Sequence, residues 1–95
     1  MTERQLEQYL CKNILHIGGL CIKLEAQGIK GWPDRTILMD GKTYFVEVKK
    51  PEGGVVSHQQ RYWLKELPKR GYDARIIRTK EEADAFVTEL YDARF

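Results

Sequence analysis

Residues 34–49 have the sequence DRTILMDGKTYFVEVK, and this segment predicts a β-hairpin. Two runs rich in β-branched and aromatic residues, at 35–39 and 43–49, flank Asp40-Gly41, which is a strong signal for a two-residue turn. Asp34 lies six residues before Asp40, and Glu47 lies six residues after Gly41. In a regular hairpin these two carboxylates are therefore directly opposite each other, on one face and about 5 Å apart.

Opposed carboxylates indicate a cation site, because two like charges at that distance repel unless a cation lies between them. Lys49 follows Glu47 by two residues and therefore points to the same face of the strand, while Val46 and Val48 form the apolar face. Mg²⁺ prefers hard oxygen ligands and is often held by one or two carboxylates together with substrate phosphates. The pattern favours a phosphodiester-hydrolysing site, although an Asp after Pro is often only a turn residue and Glu-x-Lys often a solvated face.

The segments around the hairpin predict an α/β fold with the order α-β-β-β-α-β-α. Apolar residues recur at helical spacing in the first, fifth and seventh segments, and Thr2, Ser57 and Thr79 are suitable N-caps. The β-α-β unit near the end favours a parallel crossover, and hence a single mixed sheet flanked by helices. We expect the outer elements to be helix 3–17, strand 20–24, helix 57–70, strand 73–77 and a last helix from 80.

The length of 95 residues predicts one domain, residues 1–95. A net charge of +2 does not by itself indicate a polyanion-binding protein, so a local basic rim would have to hold phosphates. The polar N-terminus and the lack of a long apolar run favour a cytoplasmic protein with no membrane contact. Cys11 and Cys21 are expected to be small, buried, unpaired residues, because neither has a second ligand at zinc spacing and a reducing cytosol disfavours a disulfide.

Two motifs resemble the PD-(D/E)xK nuclease signature: Gly31-Trp32-Pro33-Asp34-Arg35 and Phe45-Val46-Glu47-Val48-Lys49. More narrowly, the chain resembles the VRR-NUC family of that superfamily, which includes stand-alone phage and bacterial members. The resemblance extends over nearly the whole chain, through the segment SHQQ at 57–60 to Gly71. It implies a restriction-endonuclease-like core and a structure-selective DNA endonuclease that uses Mg²⁺ or Mn²⁺ and no small-molecule cofactor.

The resemblance also implies roles for individual residues. Asp34 and Glu47 would be metal ligands, Lys49 the catalytic lysine, and Gln60 the helix glutamine beside the active site. The family's first helix contributes a glutamate, for which Glu7 is our choice as a further catalytic residue and metal ligand; Glu3, one turn earlier, is the alternative.

Positive side chains near the motifs are candidate phosphate contacts, because affinity for a DNA backbone depends mainly on such charges. The best placed are Lys30, in the loop before Asp34, and Lys50, at the end of the catalytic strand; the others are Lys23, Arg35, Arg61 and Lys65. His58 is expected to be a bystander, with a role as general base as the alternative. Trp32 and Trp63 are expected to be packing residues, although Trp32 lies close enough to the site to contact a substrate.

Stand-alone members of the family act as dimers that resolve junctions, so the resemblance implies a homodimer that cuts four-way (Holliday) junctions and is phage- or prophage-encoded. Flap or nicking activity at the same site is the nearest alternative. Two further alternatives are a catalytically idle DNA-binding module and a small partner-binding protein in which the charges are merely surface residues.

Overall fold

A computed structural model describes residues 1–94 and contains the seven elements in the predicted order. Helix α1 spans Glu3–His16, strand β1 Leu20–Ile22, strand β2 Arg35–Met39 and strand β3 Lys42–Val48. Helix α2 spans His58–Lys69, strand β4 Asp73–Ile77 and helix α3 Lys80–Asp92. The element boundaries differ little from those expected, except that β1 ends at Ile22 instead of residue 24.

The four strands form one mixed sheet in the order β1-β2-β3-β4. β1, β2 and β3 are successively antiparallel, and β4 lies parallel to β3 after the crossover through α2. Asp40 and Gly41 both have positive φ, 50° and 78°, as a two-residue turn of this kind requires. The predicted fold class is therefore confirmed.

Helices α1 and α3 pack together on one face of the sheet and enclose the main core. Each of the three helices begins with a capping box, in which Thr2, Ser57 and Thr79 accept from a backbone N–H three residues later. The core consists of side chains from one face of each helix and from alternate strand positions. Its members are Leu6, Leu10, Ile14, Ile37, Val46, Val48, Ile77, Ala83, Phe86 and Leu90.

Helix α2 packs against β4 on the opposite face of the sheet. On this face Trp32, from the loop before β2, contacts Phe45 of β3 and Trp63 of α2 edge to face, at centroid distances of 5.5 and 5.2 Å. This confirms that both tryptophans are packing residues, and it joins the loop before β2 to α2. In residues 1–94 no helix is long and apolar enough to cross a membrane.

The expectation for the cysteines is wrong. Cys11, on α1, and Cys21, on β1, form a disulfide with a Cα–Cα distance of 5.2 Å, and both residues are half-buried. The packing of α1 beside β1 brings the two side chains together. Sequence spacing held no sign of this contact, because it depends on how the helix lies on the sheet.

Candidate active site

The hairpin register places Asp34 opposite Glu47. Arg35 pairs with Val46 and Met39 with Lys42, so the residue directly before β2 faces the residue directly after Val46. Asp34 Oδ2 also accepts a hydrogen bond from the backbone N–H of Val48, at 2.9 Å. The geometric prediction from the turn at Asp40-Gly41 is therefore confirmed.

Glu47 is a buried carboxylate whose two oxygens have different environments. Glu47 is only 1% exposed. Oε2 accepts from the side-chain amide of Gln60 at 2.8 Å and lies 3.5 Å from Lys49 Nζ. Oε1 is buried and has no hydrogen-bond partner. Burying an oxygen without a hydrogen-bond donor costs free energy, and a cation bound to this oxygen would compensate for the missing donor.

The pKa of Glu47 is raised to about 7, first by burial and then by the neighbouring carboxylate of Asp34, while Lys49 opposes the shift. The physical cause is that both desolvation and a second negative charge disfavour the ionised form. A buried carboxylate whose charge is disfavoured in this way accepts a proton or a metal ion readily. Such perturbed groups are frequent in active sites.

Gln60 is held in one orientation by the start of α2. Its side-chain Oε1 accepts from the backbone N–H of Ser57 at 2.8 Å, and the backbone N–H of Gln60 donates to Ser57 Oγ at 3.1 Å. The remaining amide group, Nε2, therefore points to Glu47 as a donor. The capping box thus does two things: it begins the helix and it aims the amide at the carboxylate.

Lys49 follows directly after β3 and completes the group. Its side chain is 14% exposed, and its backbone N–H donates to the carbonyl of Ile77 at 3.1 Å, which continues the parallel pairing with β4. The ammonium is thus fixed beside the carboxylate pair but remains in contact with solvent.

The two candidate glutamates of α1 have other partners. Glu7 Oε1 accepts from Arg35 Nε at 2.5 Å, and Arg35 Nη1 also approaches the carbonyl of Cys21 at 3.4 Å. Glu3 Oε2 accepts from the backbone N–H of Lys50 at 3.1 Å. Over residues 1–94, no three Asp, Glu, His or Cys side chains approach closely enough to hold a metal ion together. The structure brings Asp34, Glu47, Lys49 and Gln60 together and leaves Glu7 paired with Arg35.

A cavity of about 360 Å³ opens beside Asp34. It is lined by the segment between β1 and β2, including Lys23, Leu24, Ile29 and Trp32. The end of this segment is fixed to α2, because Trp63 Nε1 donates to the carbonyl of Lys30 at 3.0 Å. Of the carboxylate pair, Asp34 lines this cavity.

Gly31 allows the loop before Asp34 to touch α2. A Cβ atom built on it would lie only 2.5 Å from the backbone carbon of Gln59 and 2.6 Å from the nitrogen of Gln60. Its φ of 83° is also in the region that L side chains rarely adopt. A glycine here thus sets the distance between the loop that bears Asp34 and the helix turn that bears Gln60.

Of the six basic residues named from the sequence, Arg35 is half-buried and the other five are exposed: Lys23, Lys30, Lys50, Arg61 and Lys65. His58 is also exposed. One residue that sequence reasoning missed is Arg78. Its Nη1 donates to the carbonyls of Lys50 and Gly54, at 3.1 and 2.9 Å, and so closes the turn after Lys49. Parallel pairing of β3 with β4 was the available signal, because it places the residue after Ile77 beside the end of β3.

Comparisons with known proteins found both similar sequences and a similar fold. A family profile described as the VRR-NUC domain matches residues 2–81. A solved structure of a VRR-NUC domain superimposes with a TM-score of 0.85 and 28% identity, over 96% of this chain and 100% of that chain. A relative from Acyrthosiphon pisum secondary endosymbiont phage 1, named "Putative nuclease p44", is 37% identical over 62 residues, which are 64% of this chain and 67% of the relative.

Proposed function

The chain belongs to the VRR-NUC nuclease family, and we propose that it is a metal-dependent DNA endonuclease that selects branched DNA. The observation that supports this most strongly is the buried Glu47 carboxylate, with one oxygen lacking a partner, directly beside Asp34.

The residues present fit a hard divalent cation, Mg²⁺ or Mn²⁺. Asp34 and Glu47 supply carboxylate oxygens, and Glu47 Oε1 has no donor that a cation would have to displace. Mg²⁺ commonly binds through one or two carboxylates and leaves other positions for water and substrate phosphate. When bound, it would polarise the scissile phosphate and lower the pKa of an attacking water.

The protein's own groups would position the reactants. Lys49 would hold the attacking water or stabilise the negative charge that develops on the phosphate. Gln60 would keep the Glu47 carboxylate in one orientation through its amide. The 360 Å³ cavity beside Asp34 would admit the phosphodiester from the side of the 23–33 loop.

Glu7 remains our candidate for a third carboxylate. It lies on α1 and is bound to Arg35, the residue that follows Asp34. To reach a metal at Asp34, Glu7 would have to release Arg35, and Arg35 would then be available to a phosphate. Glu3 remains the alternative, and the backbone N–H of Lys50 occupies one of its oxygens.

The DNA backbone would contact exposed basic residues around the cavity. Lys23 lines that cavity, and Lys30 lies in the loop before Asp34. Lys50 and Arg61 flank the end of β3 and the first turn of α2. Lys23, Lys30 and Lys50 lie outside the helices and strands, so we expect them to contact the DNA backbone and selection to rest on the shape of the DNA.

A homodimer would suit a four-way junction, because a two-fold symmetric enzyme matches the symmetry of that substrate. Leu20 and Leu38 are cross-strand partners on the half of the sheet that α2 does not cover, and they are 52% and 38% exposed. Burying this pair against a second copy would add the apolar contact that a domain of this size lacks. The phage origin of the relative supports a phage or prophage gene and action in the bacterial cytoplasm.

The test is a cleavage assay on four-way junction, flap, nicked and linear DNA, with Mg²⁺, Mn²⁺ or EDTA, alongside Asp34→Ala and Lys49→Ala. Metal-dependent cutting of the junction that both variants lose supports the proposal, and preferred cutting of flaps would reassign the substrate. Binding without cutting would indicate an idle DNA-binding module, and neither would indicate a partner-binding protein. Light scattering after gel filtration gives the oligomeric state.

A further inference from the structure

The outer face of helix α2 bears a continuous stripe of basic side chains. Residues three and four apart share a helix face, so His58, Arg61, Lys65 and Lys69 lie in line along nearly the whole helix, and all four are exposed. We call these four residues the α2 stripe. Its neighbouring members are about 4.5–6 Å apart along the helix axis, given a rise of about 1.5 Å per residue.

The stripe is poorly neutralised. In the described chain, residues 1–94, neither Arg61 nor Lys65 forms an ion pair, and Lys69 pairs with Glu66 at 3.2 Å while its side chain is 72% exposed. Glu66 is the only acidic residue of α2 and also faces Arg70 at 3.6 Å. Positive charges that the protein does not pair can neutralise the phosphates of a nucleic acid.

An exposed aromatic residue lies within the stripe. Tyr62 is 52% exposed, and its ring contacts Trp63 edge to face at 5.0 Å. Together with His58, Arg61 and Lys65 it lines a shallow cleft of about 160 Å³. Basic residues interleaved with an exposed aromatic ring are typical of surfaces that bind nucleic acids, where the ring can stack on a base. An acidic protein segment would use the charges but not the ring.

The stripe points away from the candidate active site. Gln60 and Leu67, seven residues apart, mark the opposite side of α2, where Gln60 contacts Glu47 and Leu67 is buried. With its side chains an α-helix is about 10–12 Å wide. The stripe and Asp34 therefore lie on opposite sides of α2, so a DNA arm bound at Asp34 leaves the stripe open to a second arm.

We propose that the α2 stripe binds a second arm of a branched DNA while the first arm occupies the site at Asp34 and Glu47. The proposal rests on the proposed function and adds to it the surface that distinguishes a junction from a single duplex. Arg61, in the first turn of α2, lies between the two arms. Lys65 and Lys69, farther along the helix, contact only the second arm.

The test compares equilibrium binding of a four-way junction and of a linear duplex equal in length to two arms, in EDTA so that no cleavage occurs. The variant Lys65→Gln/Lys69→Gln is matched by Arg4→Gln/Lys12→Gln, which removes the same charge from exposed positions of α1. We expect the stripe variant to bind the junction about tenfold more weakly. The slope of log K against the logarithm of the salt concentration should become less steep by about 2, since each phosphate contact contributes about 0.9 to that slope. Its affinity for the linear duplex, and the affinity of the control variant for both DNAs, should change less than about twofold.

Three results would overturn the proposal. Unchanged junction affinity would mean that the stripe is only solvated, and an equal loss on both DNAs would mean that it contacts any duplex. Polyglutamate that binds the wild-type protein as tightly as the junction would assign the stripe to an acidic partner. Because binding is measured without metal, a protein that binds junctions through the stripe but never cuts them would contradict the nuclease proposal alone.

Discussion

Gln60 donates its side-chain amide to Glu47 Oε2 at 2.8 Å, while the other end of the same amide accepts from the backbone of Ser57 at 2.8 Å. The N-cap of α2 and the carboxylate at the end of β3 are thereby joined through a single side chain. Substitutions on either side of this amide can separate helix stability from the chemistry of the site.

Ser57→Ala and Gln60→Leu should have similar effects on stability and different effects on cleavage. Each removes part of the capping box, which costs about 1 kcal/mol of unfolding free energy. Only Gln60→Leu leaves the Glu47 oxygen without its donor. We expect a tenfold or greater loss of cleavage rate for Gln60→Leu and less than threefold for Ser57→Ala, measured under single-turnover conditions beside urea unfolding. Equal losses of rate would show that Gln60 acts only through the helix.

Glu47→Gln should change how the stability of the metal-free protein depends on pH. The pKa of Glu47 is about 7 in the folded chain, above the ordinary value of 4.5, so the folded state binds this proton more tightly. Its contribution to stability is therefore complete below about pH 4.5 and is lost as the pH rises through 7. The full shift corresponds to about 3 kcal/mol.

Urea unfolding in EDTA from pH 4.5 to 8.5 measures this effect. The wild-type protein should lose stability across the range relative to Glu47→Gln, and Glu52→Gln, in the exposed loop after Pro51, should follow the wild type. Parallel curves for wild type and Glu47→Gln would contradict the assignment of the buried carboxylate.

Divalent metal should stabilise the protein through the same two carboxylates. A ligand that binds only the folded state adds about 2.7 kcal/mol when its concentration is a hundred times its dissociation constant. We expect Mg²⁺ or Mn²⁺ to raise the melting temperature of the wild type, and to leave Asp34→Asn and Glu47→Gln unchanged. A shift of equal size in all three proteins would locate the metal elsewhere. Glu7→Gln tests the third carboxylate, since a smaller metal-induced rise in its melting temperature would support Glu7 as a metal ligand.

Gly31→Ala should destabilise the chain much more than Gly28→Ala. Both glycines have a positive φ, 83° and 80°, so alanine costs about 1–2 kcal/mol of backbone strain at either position. At Gly31 the new Cβ would also meet α2 at 2.5 Å, whereas at Gly28 nothing lies within 4 Å. We expect Gly31→Ala to lower the unfolding free energy by about 1–3 kcal/mol more than Gly28→Ala does. Equal destabilisation would show that the loop does not rest on α2 in solution.

The hairpin and the carboxylate pair could be predicted from sequence because both depend on local rules. Asp40-Gly41 fixes the turn, the turn fixes the register, and the register brings Asp34 to Glu47. Gln60 was expected beside the site from the family resemblance, and its distance of three residues from Ser57 placed it in the first turn of α2.

The remaining contacts depend on how the helices lie on the sheet, which no local pattern encodes. The disulfide between Cys11 and Cys21 and the ion pair between Glu7 and Arg35 both require the particular position of α1. Both therefore became visible only in the folded chain.

The central claim is that Asp34 and Glu47 form a metal-dependent phosphodiesterase site, and one measurement tests it most directly. Single-turnover cleavage of a four-way junction in Mg²⁺ is compared for wild type and Asp34→Asn, with unfolding curves to show that both are folded. We expect the wild type to cleave the junction and EDTA to abolish this cleavage. The cleavage rate of Asp34→Asn should be at least about a hundredfold lower. Cutting by folded Asp34→Asn at the wild-type rate would contradict it.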